Sequence, residues 1–165
     1  MPDLDVLREL QVYLIAQGIG QAPSSAPSLT VPSIWLMPRD GSPLPRDGEN
    51  ITITLHDTMM RSPSSMEPWM QEAFVDVIVR SRQPTPGKLL QRTIGALIAP
   101  WGLPGGRHQW MMGGLLVETS DQWRGDQPMP QRQDTSQGDP HISYDRVASY
   151  RFVCRRKVLA GLSMP

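Results

Sequence analysis

Residues 66–98, MEPWMQEAFVDVIVRSRQPTPGKLLQRTIGALI, constrain the fold more than any other stretch. They read as a strand, a proline-marked turn and an amphipathic helix. Side chains alternate between the two faces of a strand. Ala73, Val75, Val77 and Val79 therefore share one face, which is fit for a core. Glu72, Phe74, Asp76, Ile78 and Arg80 share the other. That face is half apolar and half charged, a poor composition for plain solvent. In an isolated domain it is expected to leave apolar surface half exposed, and burial against a neighbouring subunit would remove it. Gln83-Pro84-Thr85-Pro86-Gly87 ends the strand. Thr85 is the expected N-cap of the helix, with Pro86 in its first position. Leu90, Ile94, Leu97 and Ile98 then form one apolar stripe, and Pro100 stops the helix.

The flanking chain supplies further elements. LDVLRELQVYLIAQ, residues 4–17, is expected to be a helix with Leu7, Leu10 and Leu14 buried. Asp3 is placed to cap it, and Asp5 sits in its first turn, where the helix dipole favours a carboxylate. Gly18 and Gly20 end it. Residues 21–33 are a Pro/Ser-rich connection. Ile34–Met37 and Ile51–Leu55 read as strands, the second with clean alternation. Between them PRDGSPLPRDGEN, residues 38–50, carries two turn signals in succession and reads as a protruding loop. A second loop is expected over 58–68. Gln109–Met112 and Leu115–Thr119 read as strands, with Gly113-Gly114 as a bulge or a hairpin turn. Residues 120–143 are polar and Gln-rich, and are expected to be a loop that is disordered or laid across a partner, loose in the free subunit. Arg146–Arg155 reads as the last strand, with Tyr150, Phe152 and Cys154 on one face, and 156–165 as a tail. The order predicts a single α+β domain over 1–165: a mainly antiparallel β-sheet with two α-helices packed on one face.

Composition narrows the function. Sixteen basic residues balance 16 acidic ones, so a broad electrostatic footprint for nucleic acid is not expected. Only Lys88 and Lys157 of the basic residues are lysines. The excess of arginine suits interfaces, where Arg pairs with carboxylates. Cys154 is the one cysteine, which excludes a disulfide within the chain, and at strand spacing it reads as a small buried apolar residue. The N-terminus lacks the pattern of a signal peptide, and no apolar run is long enough to span a membrane. Phosphate-binding loops, HExxH and GxSxG are all missing from the sequence. His56-Asp57, the group His141, Asp139 and Asp145, and the carboxylates Glu67, Glu72 and Asp76 are the candidates for chemistry. Each reads more simply as strand-end or strand-face polarity. The expectation is no enzyme, no cofactor and no metal. Five Trp against two Phe point instead to contact surfaces; Trp69, Trp101, Trp110 and Trp123 lie next to Pro, Met or Gly or at strand ends.

EPWMQEAFVDVIVRSR, the Pro-Gly turn and KLLQRTIGALI, together with the N-terminal ELQVYLIAQGIG, resemble the tail terminator proteins of long-tailed bacteriophages, especially those infecting high-GC Gram-positive hosts. The resemblance covers residues 4–98. It implies a structural virion protein at the tail–neck region, assembled in the host cytoplasm. Such a subunit closes into a homo-hexameric ring on the head-proximal end of the tail tube, halts tube polymerisation and offers the surface to which the filled head docks. The implied partners are further copies of the chain, the tail tube protein and a head-closure or connector protein. Genomic DNA would pass through the lumen without sequence-specific binding, and no membrane is involved. Glu72, Phe74, Asp76, Ile78, Arg80, Arg82 and Arg92 are the expected subunit-interface residues. Another neck component of the same particle, or a small bacterial binding domain, are the alternatives.

Overall fold

In a computed structural model the described residues are 5–23, 30–37, 51–61, 70–100, 106–129, 132–134 and 141–155. The elements in chain order are α1 (Val6–Ala16), β1 (Ser33–Met37), β2 (Ile51–Arg61), β3 (Met70–Ser81), α2 (Pro84–Ile98), β4 (Arg107–Met112), β5 (Leu115–Pro128), β6 (Arg132–Asp134) and β7 (His141–Arg155). The fold is α+β, as the element order predicts. Six strands form a sheet in the order β1-β2-β3-β7-β5-β4, and β6 pairs with β7 off this path. Among the described strands β1 and β2 run parallel, and the other strand pairs run antiparallel.

The sheet is strongly curled. Strands lie ~4.8 Å apart, so five spacings would put β1 and β4 ~24 Å apart in a flat sheet. Yet α1, about 10–12 Å wide with its side chains, touches both edges within one turn. Gln11 Nε2 donates to the Ile34 carbonyl on β1 at 2.7 Å. Two residues on, the Tyr13 ring meets the Trp110 ring on β4 at 4.8 Å. Glu9 reaches the turn beyond β4, accepting from Gly114 N–H at 2.8 Å. The two edges have therefore been drawn together, and α1 lies across the gap between them.

One core fills the concave side. It joins Val6, Leu10, Tyr13 and Leu14 of α1, Ile94 and Ile98 of α2, and Ala73, Val75, Val77 and Val79 of β3. Ala148, Tyr150, Phe152 and Cys154 of β7 join it, all at most 1% exposed, and Ile34 of β1, Ile53 and Leu55 of β2, Trp110 and Met112 of β4, and Leu115 and Val117 of β5 complete it. Burial alone pushes the Cys154 thiol up to about 12. The thiolate is the reactive form, so the folded chain is expected to resist alkylation at pH 8 and to label once denatured. Rapid labelling of native protein in a mass-spectrometric time course would contradict this packing.

Several boundaries differ from those the sequence predicts. The cap of α1 is Asp5, not Asp3: its side chain accepts from Arg8 N–H at 3.0 Å. The second helix starts at Pro84 with Gln83 as N-cap, not Thr85. A residue before proline prefers extended backbone, and Gln83 has φ −127° and ψ 143°. Pro84 has no N–H to lose in the first helical turn. Gly113-Gly114 is a hairpin turn between β4 and β5, the Gly113 φ being +61°. β2 runs on to Arg61, into the expected loop over 58–68. The largest correction concerns 120–143. Residues 120–128 belong to β5, and 141–143 open β7, where they pair with β6. Ladder hydrogen bonds to β7 hold residues 120–128, and 130–131 and 135–140 lie outside the described residues. The loop 38–50 and the tail 156–165 lie outside the described residues.

At its C-terminus α2 is closed by side chains. Arg107 donates to the Leu97 carbonyl at 2.8 Å and to Tyr13 Oη at 2.8 Å. Its guanidinium lies 4.2 Å from the Trp110 ring centroid. Ser120 Oγ donates to the Ile98 carbonyl at 2.6 Å and accepts from Trp110 Nε1 at 2.9 Å. Two of the carbonyls that every helix end leaves orphaned are thus satisfied.

Candidate functional site

The convex face of the sheet carries the charged side chains of β3. Register decides what each one meets. Arg80 stands opposite Asp145 and Glu72 opposite Val153, beside Arg151. Arg80 grips Asp145 through two hydrogen bonds, at 2.9 and 3.0 Å, and the Asp145 side chain is 2% exposed. Arg151 reaches Glu72 at 2.7 Å and Asp121 of β5 at 3.6 Å, so one guanidinium ties three strands. Arg155 pairs with Glu118. A further row runs Met37, His56, Asp76, Ser149, Arg124 across five strands. In it Ser149 Oγ donates to Asp76 Oδ1 at 2.5 Å. Trp35 Nε1 and His56 Nε2 are buried with no hydrogen-bond partner among the described residues.

The predicted interface residues fall into three groups. Glu72, Phe74 and Ile78 are only 3%, 6% and 7% exposed within the single chain. The expectation that this face of β3 would leave apolar surface half exposed is therefore corrected. Cover comes from across the sheet: the Trp123 ring lies edge-on to Phe74 at 5.4 Å, and Arg151 covers Glu72. Asp76 and Arg80 are half-buried and engaged in the bonds just described. Arg82 and Arg92 are exposed, at the β3–α2 turn and on α2, away from this face. The sequence reading brought the first five together correctly, because strand alternation is robust. It could not supply their partners, which lie 49 to 79 positions away.

Among the large apolar side chains that stay open on this face, with Met111 of β4 at 56% exposed, is Trp123. Its side chain is half exposed, at 50%, while the Arg124 guanidinium sits 5.1 Å from its ring centroid. A half-exposed Trp flanked by Phe and Arg has the residue types enriched at the centre of protein contacts. The excess of Trp was the available signal, but Trp123 fell in a stretch read as loop.

The chemical candidates separate. His56 lies opposite Asp76 and Asp57 opposite Val75 in the pairing of β2 with β3. Asp145 is committed to Arg80; Asp139 lies outside the described residues. Among the described residues no group of three His, Cys, Asp or Glu is placed to hold a metal ion, and no helix is long and apolar enough to cross a membrane. The sequence matches no family model, and no curated protein matches it significantly.

Proposed function

We propose that the chain is a structural assembly subunit, the tail terminator of a long-tailed bacteriophage. Copies of it close into a ring of six on the head-proximal end of the tail tube, stop tube growth and present the head-docking surface. The reading rests on the resemblance over residues 4–98, and the observation that carries it is the Trp123 patch. A rigid ribbon of β5 and β7, cross-linked by Arg151 and Arg155, holds a half-exposed Trp above Phe74 with Arg124 beside it. Such a patch suits contact with a protein surface. Heterologous contacts of this kind make rings when their rotation closes. The zero net charge leaves little repulsion between stacked copies.

The test is Trp123→Ala. An interface-centre Trp contributes about 2 kcal/mol or more to association, so assembly should weaken by at least about 30-fold. The fold should survive, because the lost contact with Phe74 is worth about 0.5–1.5 kcal/mol. Complementation of a phage lacking the gene should then give tails of uncontrolled length without heads in electron micrographs. Tails of normal length bearing heads would remove Trp123 from the assembly surface.

A further inference from the structure

The sheet ends in two edge strands, β1 and β4. An edge offers unpaired N–H and C=O groups to any other chain. The two edges are finished differently. Along β1 the groups around Ser33 and Ile34 are taken. Gln21 bridges to Ser33 in parallel. The Ile34 N–H donates to the Gln21 carbonyl at 2.9 Å, and the Gln21 N–H donates to the Pro32 carbonyl at 2.9 Å. The Ile34 carbonyl accepts from Gln11 Nε2 at 2.7 Å. Gly20 permits this approach, since a Cβ there would stand 2.6 Å from the Pro32 carbonyl oxygen.

On β4 the main chain has no such cover. Helix α1 meets it through side chains, Tyr13 against Trp110 and Arg107 on Tyr13 Oη. Among the described residues no main-chain hydrogen bond from outside the sheet reaches Arg107–Met112. The strand also lacks the usual edge guards: RHQWMM has no Lys and no Pro. Its one permanent charge, Arg107, is turned onto Tyr13 and the Leu97 carbonyl. His108, Gln109 and Met111 stand exposed.

What β4 has instead is a kink. Gln109 has φ 45°, and among the described residues no other non-glycine residue has a positive φ. The left-handed region is costly for a residue with a Cβ. The ladder with β5 records the break. His108 faces Thr119 and Trp110 faces Val117, while the ladder skips Gln109. No chain reversal requires this conformation, because the hairpin turn lies further on at Gly113-Gly114. A left-handed residue swings its peptide groups out of the strand line, so an incoming strand meets no continuous row of donors and acceptors along 107–112.

We propose that the Gln109 kink is a guard on this open edge: it bars strand-to-strand addition of a second copy of the chain at β4 and leaves self-association to side-chain faces. Addition at one edge is a heterologous contact, and such contacts build open filaments when their rotation does not close. The inference concerns the edge alone. It stands whether or not the Trp123 patch is the assembly surface.

The experiment is light scattering on the full chain carrying Gln109→Val. A β-branched residue is an outlier at positive φ and favours extended backbone, so this change straightens the edge. The particle should be heavier than wild type at equal concentration by about twofold or more, since one new contact at least doubles it. Thioflavin T fluorescence should rise as it grows. Gln109→Gly accepts the same φ, so it should keep the wild-type mass and raise the urea midpoint. Adding His108→Lys to Gln109→Val puts a charge on the edge and should return the wild-type mass. Trp123→Ala in the Gln109→Val chain should still give the heavier particle, which separates failure here from failure of the assembly reading. The proposal is overturned if Gln109→Val keeps the wild-type mass at every concentration, or if its association needs Trp123 or persists with His108→Lys. A lowered midpoint for Gln109→Gly would overturn it equally.

Discussion

Asp145→Ala is expected to cost about 3–5 kcal/mol of stability, the range for removing one partner of a buried ion pair. The Asp145 side chain is 2% exposed and the Arg80 side chain 22% exposed, so water replaces little of what is lost. The two bonds at 2.9 and 3.0 Å join β3 to β7 near the end of β3 where α2 begins. Losing the carboxylate removes both of the bonds that hold the Arg80 guanidinium to β7. The double variant Arg80→Leu with Asp145→Leu should recover much of the loss, because replacing a buried pair by apolar groups is often neutral. Urea denaturation of the two variants measures both. An Asp145→Ala loss under about 1 kcal/mol would mean that the pair behaves as an exposed one.

Ser120→Ala should be comparably damaging for so small a change. One hydroxyl donates to the Ile98 carbonyl and accepts from Trp110 Nε1–H, and Ser120 is fully buried. Deleting it strands a helix-end carbonyl and an indole N–H. At about 1–3 kcal/mol for each unsatisfied buried group, the loss is about 2–6 kcal/mol. In Trp110→Phe protein the indole donor is already gone, so the same substitution should cost measurably less. That double-mutant cycle isolates the Trp110–Ser120 bond; strict additivity would show that the bond contributes nothing.

These two sites also mark where a sequence stops being readable. The core face of β3 and the stripe Ile94, Ile98 of α2 follow from period alone. The strand over 120–128 does not. Its core-side positions are Ser120 and Gln122, and its convex positions include Asp121, Trp123 and Arg124, so neither face looks apolar. Bulges at 122–127 then shift the alternation itself. Hydrogen bonds and ion pairs, to Ile98, Trp110, Arg146 and Arg151, take the place of apolar packing there. Those partners lie 10 to 30 positions away on other elements, and no local pattern encodes them. The mixed face of β3 shows the same limit. Its composition was legible, but the cover over Phe74 and Glu72 depends on a strand order that brings β7 between β3 and β5.

The resemblance and the Trp123 patch make one claim, that this chain works as a closed ring on a tail tube. Light scattering on the purified full chain, alone and after addition of assembled tail tubes, tests it most directly. The account predicts a particle near six times the 18.4 kDa chain mass, formed alone or at one end of each tube. A species that stays at 18.4 kDa at every concentration and never joins tubes would contradict it.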